Sequence, residues 1–175
     1  MDPKLAGHGD KITQNEALFK RIEAIYNSPD KKKLTPEQQR LVWVYYTNFV
    51  RQGAKLDAAK KARLSEINQQ LAGLFTKFSQ NLLGDEGQLS LLLTSETELA
   101  GLPDSLKSAA ASAGKSKGKE GWMIRNTPSA IGPFLTYSER RDLREKAYRM
   151  FINRGDNGDE RDNNATIAQI MQLRA

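Results

Sequence analysis

The sequence predicts a mainly α-helical fold, a helical bundle-like region carrying one small two-stranded β element. Three observations predict it. Apolar residues recur at three- and four-residue steps through most of the 175 residues. Capping signatures stand in front of several of those stretches. Only two short runs, about 89–93 and 121–125, have the length and composition of strands. The chain reads as one helical region, of a size that suits a single core.

Taken in order, Leu18, Phe19, Ile22, Ile25 and Tyr26 place a helix over about 10–28, ended by Pro29-Asp30. Thr35, Pro36 and Gln38 form a capping box for a second helix, 36–52, with Leu41, Val42, Tyr45, Tyr46 and Phe49 inside it and Gly53 as its stop. Asp57 caps the longest helix, 58–83, whose stripe runs Leu64, Ile67, Leu71, Leu74, Phe75, Phe78 and Leu82. Beyond Gly84 the pattern changes. The two strands are expected there, with a Ser95–Glu98 capping box turning through Leu99 and a helix over 103–113 stopped by Gly114. Ser138 caps a helix over 138–153 with Leu143, Ala147, Met150 and Phe151 on one stripe, and the loop from Arg154 to Asp162 closes it. A last helix, 163–175, puts Ile167, Ile170 and Met171 on one face and has no stop signal after it. The expectation is a segment cut from a larger helical protein, with those three residues as apolar surface the rest would cover.

Counting excludes much chemistry. There is no cysteine and one histidine, His8, so a thiolate nucleophile, a cysteine zinc site and a two-histidine metal helix are all out of reach. Ala113-Gly114-Lys115-Ser116 fails as a phosphate loop, because the first glycine position is Ala109 and the preceding segment reads as helix. The acidic run from Arg154 to Glu160 fails as a calcium loop, with Arg161 and Ile167 where glycine and glutamate are needed. The pairs Asp85-Glu86 and Asp159-Glu160 are expected in loops as solvated acids. No catalytic, cofactor-binding or metal-binding residue is therefore assigned. The net charge of +6 raises nucleic acid as a partner. The clusters Lys31–Lys33 and Lys115–Lys119 lack interleaved aromatics, so neither nucleic acid nor a membrane is expected as a partner. With no membrane-length apolar run and no signal-peptide profile at Met1, the expected location is cytoplasmic.

Several stretches resemble the peptidyl-dipeptidases (dipeptidyl carboxypeptidases) of the thimet oligopeptidase-like zinc metallopeptidases. They are Tyr45-Tyr46-Thr47-Asn48-Phe49-Val50-Arg51-Gln52-Gly53-Ala54, Ile67 to Ala72 running on to Phe78-Ser79-Gln80-Asn81, Leu99 to Pro103, Gly118 to Trp122, Pro133 to Ser138, Arg141 to Ala147, and Asn153 to Asn157. The resemblance implies the N-terminal region of such an enzyme, periplasmic if an export signal has been removed. The zinc-binding His-Glu-x-x-His helix would lie downstream of Ala175. The chain would then be non-catalytic and metal-free, partnered by the downstream catalytic domain, while the full-length enzyme would use zinc to release C-terminal dipeptides from short peptides. The resemblance assigns this region one wall of the substrate channel. Tyr46, Arg51 and the Arg154–Asp159 loop are the candidate contacts, and the Leu64–Leu82 stripe the candidate rigid wall. The competing reading is a stand-alone helical protein- or peptide-binding module.

Overall fold

A computed structural model of the chain describes residues 2–175. Among them are eight α-helices, two short 3₁₀ turns and one two-stranded antiparallel sheet, the mainly α class that the periodicity predicts. The described residues divide into two compact units, 2–76 with 170–175, and 77–169.

In the first unit, α1 (Pro3–Thr13) starts from Asp2, whose carboxylate accepts the Lys4 N–H at 2.7 Å, with Pro3 in the first turn. α2 (Glu16–Asn27) starts afresh from Asn15, whose side chain accepts the Leu18 N–H at 2.9 Å. This corrects the single helix expected over 10–28. The chain is already helical from Pro3, through Gly7 and Gly9, and it breaks at Gln14-Asn15 because an asparagine side chain offers the next helix a cap in place of a continued backbone ladder. A 3₁₀ turn (Pro29–Lys33) leads to α3 (Pro36–Arg51), where Thr35 and Gln38 exchange both capping-box bonds, at 3.0 and 3.3 Å. Phe19, Phe49 and Ala54 form the buried core, with Ile22, Tyr46 and Val50 packed against it. Its aromatics stack: Phe19 on Phe49 with centroids 6.3 Å apart, Phe19 on Tyr46 at 5.9 Å, and Tyr26 on Tyr46 at 3.8 Å.

α4 (Ala58–Gln88) contributes residues 58–76 to the first unit and 77–88 to the second. Asp57 accepts the Lys60 N–H at 2.8 Å, as an N-cap should. The helix passes the expected end at 83 and carries Gly84, Asp85, Glu86 and Gly87 in regular helix, so the two acids do not lie in a loop.

The second unit is built around the hairpin-like pair β1 (Ser90–Leu93) and β2 (Trp122–Arg125), antiparallel with Ser90 opposite Arg125 and Leu93 opposite Trp122. Between them lie a 3₁₀ turn (Glu96–Leu99) and α5 (Asp104–Ser116). Glu98 accepts the N–H groups of Thr94 and Ser95, at 2.6 and 3.2 Å, and these bonds hold its carboxyl below the usual range. α5 runs through Gly114, the expected stop, and ends when the Lys119 N–H returns to the Gly114 carbonyl across Gly118. α6 (Pro128–Tyr137) was not expected from the sequence. Pro133 and Gly132 argue against helix in its interior, yet buried Ile131 and Phe134 hold it in place, tertiary packing overriding propensity. Ser138 accordingly ends α6 instead of starting the next helix, and α7 spans Arg141–Ile152. α8 (Asn164–Arg174) completes the chain. Leu93, Leu99, Leu102, Ala110, Ile124, Ile131, Phe134, Leu143 and Ala147 make one contiguous core under the sheet and α5–α7. None of the described helices is long and apolar enough to cross a membrane.

Candidate functional site

The most organised polar centre lies in the second unit, where the end of α4 meets the loop between α7 and α8. Asp85 is fully buried, with 0% of its surface exposed. Its Oδ2 accepts the Gly155 N–H and the Asn157 amide, both at 2.8 Å, and its Oδ1 accepts Arg161 Nε at 2.6 Å. Burial is the largest single influence on this carboxyl and pushes its pKa up. The Gly155 N–H, the Arg161 guanidinium and the Asn157 amide together outweigh it, so the net shift is downward and the group is ionised. Arg161 in turn binds Asp159 and Glu160 at 2.9 and 3.1 Å.

Around this pair the loop is stitched down further. Arg154 pairs with Glu86 and donates to the Phe151 carbonyl. Asn163, also buried, donates to the Phe78 carbonyl at 3.2 Å and accepts from Asn81 at 2.9 Å, while its N–H reaches the Gly155 carbonyl at 2.7 Å. Two glycines make the close approach possible. A Cβ on Gly84 would stand 2.7 Å from Arg161 Cδ, and one on Gly155, at φ +71°, would stand 2.7 Å from Asn163 Nδ2. The acceptor positions of Asp85 are engaged by donors of this chain, so the centre is a clamp that sets the loop's shape, with no free base or nucleophile in it. The sequence reading missed it because Asp85 and its partners are about 70 or more residues apart, at |i−j| of 70 to 76.

The residues singled out from the sequence fall in different places. Tyr46 is committed to the first unit's aromatic stack, with Lys55 over its ring at 5.3 Å. Lys55 also pairs with Glu23 at 2.9 Å, and its pKa is raised, first by the Tyr46 hydroxyl and then by Glu23. Arg51 is exposed at the end of α3. Within the Arg154–Asp159 loop, Arg154 and Asp159 are ion-paired and Asp156 accepts from Asn164 at 2.7 Å. Along the Leu64–Leu82 stripe every member is half-buried except Phe75, which is exposed. Of the three apolar residues of the last helix, Ile167 and Met171 are exposed, at 44% and 63%, while Ile170 is buried at 7% and so is not part of an open face.

As to metal chemistry, His8 is exposed on α1, and among the described residues no group of three histidine, cysteine or carboxylate side chains could hold an ion. The donor set of this chain therefore does not fit a zinc site.

The most organised polar cluster among the described residues is thus a structural clamp. No family model matches the chain. Over nearly its whole length it is nevertheless homologous to the oligopeptidase A and dipeptidyl carboxypeptidase group. Organellar oligopeptidase A, chloroplastic/mitochondrial, from Arabidopsis thaliana is 34% identical over 94% of this chain and 22% of its own length. Probable cytosolic oligopeptidase A from the same plant is 33% identical over 94% of the chain and 24% of its own. Dipeptidyl carboxypeptidase from Escherichia coli K12 is 32% identical over 98% of the chain and 25% of its own. The chain thus spans about a quarter of the length of these relatives.

Proposed function

We propose that this chain is the N-terminal, non-catalytic helical region of a zinc peptidyl-dipeptidase, one wall of a channel that admits short peptides to a catalytic domain carried elsewhere in the protein. The observation that supports this most is coverage: nearly all of the chain aligns, but to only about a quarter of each peptidase relative. On this reading zinc is held by residues outside this chain, and no catalytic step is assigned to any residue within it. The role left to these residues is mechanical. A wall that excludes folded proteins must keep its shape, and the Asp85 clamp, which joins α4 to the 153–163 loop through charge-assisted bonds, supplies rigidity where a long loop would otherwise move. The proposed partners are the downstream catalytic domain and short peptide substrates. The proposed compartment is the cytoplasm, after the relative named as cytosolic, with an exported or organellar parent as the competing case.

The test mixes the chain with a separately expressed downstream segment carrying a His-Glu-x-x-His helix, adds zinc, and follows dipeptide release from a short peptide. Activity that appears or becomes size-selective only in the mixture supports the proposal. Undiminished, selective activity of the downstream segment alone overturns it. So does peptide binding by this chain with no association with that segment, the behaviour of a stand-alone module.

A further inference from the structure

We propose that the second unit carries a binding cleft for an acidic, partly apolar peptide segment. An open cleft of about 710 Å³ lies between the end of α4, the start of β1, the turn after α5 and the end of β2. Three cations line it: Lys117 and Lys119 from the turn, and Arg125 from the strand end. None of the three is in an ion pair. The Arg125 side chain makes only one long bond, 3.4 Å, to the Ser116 hydroxyl, and the two lysine ammonium groups make none. The one acid in the lining, Glu86, is already neutralised by Arg154. Elsewhere in this unit Lys107, Arg140, Arg149, Arg154 and Arg161 have carboxylate partners, while Lys77, Lys115, Arg141, Arg144 and Lys146 have none; what sets the three cleft cations apart is that they share one lining. The negative end of the α5 dipole lies beside two of them, Lys117 at the helix terminus and Arg125 on the Ser116 hydroxyl, and adds to the attraction that holds them there without neutralising either charge.

The rest of the lining decides the class of ligand. Leu83, 64% exposed, and Leu89 and Met123 give the cleft an apolar floor, which a small inorganic anion would leave uncovered. No aromatic side chain lines it, so stacked bases have no platform. A short extended segment with carboxylates beside apolar side chains meets both kinds of wall. The strand register helps, because Ser90 faces Arg125 across the sheet and the two stand together at the mouth, where a hydroxyl and a guanidinium can share one carboxylate. This proposal rests on the cleft alone and stands or falls separately from the peptidase reading.

The experiment uses the 175-residue chain and an end-labelled peptide alternating Glu and Leu, with a Gln-for-Glu peptide of the same length as control, followed by fluorescence anisotropy at low and raised salt. The Glu peptide should bind about tenfold or more tighter than its Gln counterpart, and salt should narrow the difference. Lys119→Gln with Arg125→Gln should weaken Glu-peptide binding by about tenfold, since each of the two charge pairs removed contributes about threefold. Arg141→Gln with Lys146→Gln removes the same charge from exposed positions outside the lining and should leave affinity within about twofold. Because the Lys119 side chain is exposed and makes no bond, Lys119→Glu keeps the fold and should also weaken binding. Equal affinity for the two peptides would overturn the proposal, as would equal losses in the two double variants. Tighter binding of inorganic phosphate or of a single-stranded oligonucleotide than of the Glu peptide would overturn it as well.

Discussion

Asp85→Asn is the most informative single change in this molecule. It removes one charge and almost no volume, yet it turns one acceptor oxygen into an NH2 group at a position surrounded by donors: the Gly155 N–H, the Asn157 amide and Arg161 Nε. At least one donor must then face another, and Arg161 loses its buried counter-ion. Removing one partner of a buried pair costs about 3 to 5 kcal/mol. The Arg161 side chain is 19% exposed and keeps Asp159 and Glu160, so the low end, about 3 kcal/mol, applies. Against a usual total of about 5 to 15 kcal/mol this is a large fraction. With a urea m-value of about 1 to 3 kcal/mol/M it corresponds to a midpoint lower by about 1 to 3 M. Urea unfolding followed by the fluorescence of Trp122, half-buried on β2 in the same unit, reads it directly. The pH dependence supplies a second check. Because the folded pKa of Asp85 is lowered, its contribution is complete above the unfolded value of about 3.9 and is lost as pH falls through the folded value. The parent chain should therefore lose stability more steeply in acid than Asp85→Asn does. A midpoint unchanged to within about 0.3 M at neutral pH, or parallel acid profiles, would refute the clamp.

Three further outcomes follow from the same structure. Gly155→Ala should destabilise by about 1 to 3 kcal/mol, since it forces an L side chain to φ +71° and presses a methyl on Asn163; thermal unfolding by circular dichroism measures it. Thr35→Ala should cost about 1 kcal/mol by breaking the capping box of α3, with Thr35→Ser recovering most of it in the same assay. Tyr46→Ala should cost about 2 to 3 kcal/mol, because it removes the ring between Phe19 and Tyr26, whereas Tyr46→Phe keeps the stack and should cost under about 1 kcal/mol; chemical denaturation followed through Trp43 on α3 separates the two.

Local chemistry determined what could be read from the sequence alone. The mainly α class, the cap at Thr35, the cap at Asp57, the Glu98 box and the two strand runs all depend on residues within a few positions of one another or on an unbroken period, and such signals survive in one dimension. The tertiary structure alone decided the rest. Pro133 and Gly132 were carried inside α6 because Ile131 and Phe134 had a core to enter. Asp85 is the clearest case. In sequence it is one of two acids between two glycines, the pattern of a solvated turn; in the fold it is a buried, ionised carboxylate, because the Gly155 N–H, Asn157 and Arg161 arrive from the far side of the unit to replace the water it gave up. The cleft cations are of the same kind: Lys117 and Lys119 share a cleft with Arg125 only because the end of α5 packs against β2, where Arg125 donates to the Ser116 hydroxyl at 3.4 Å.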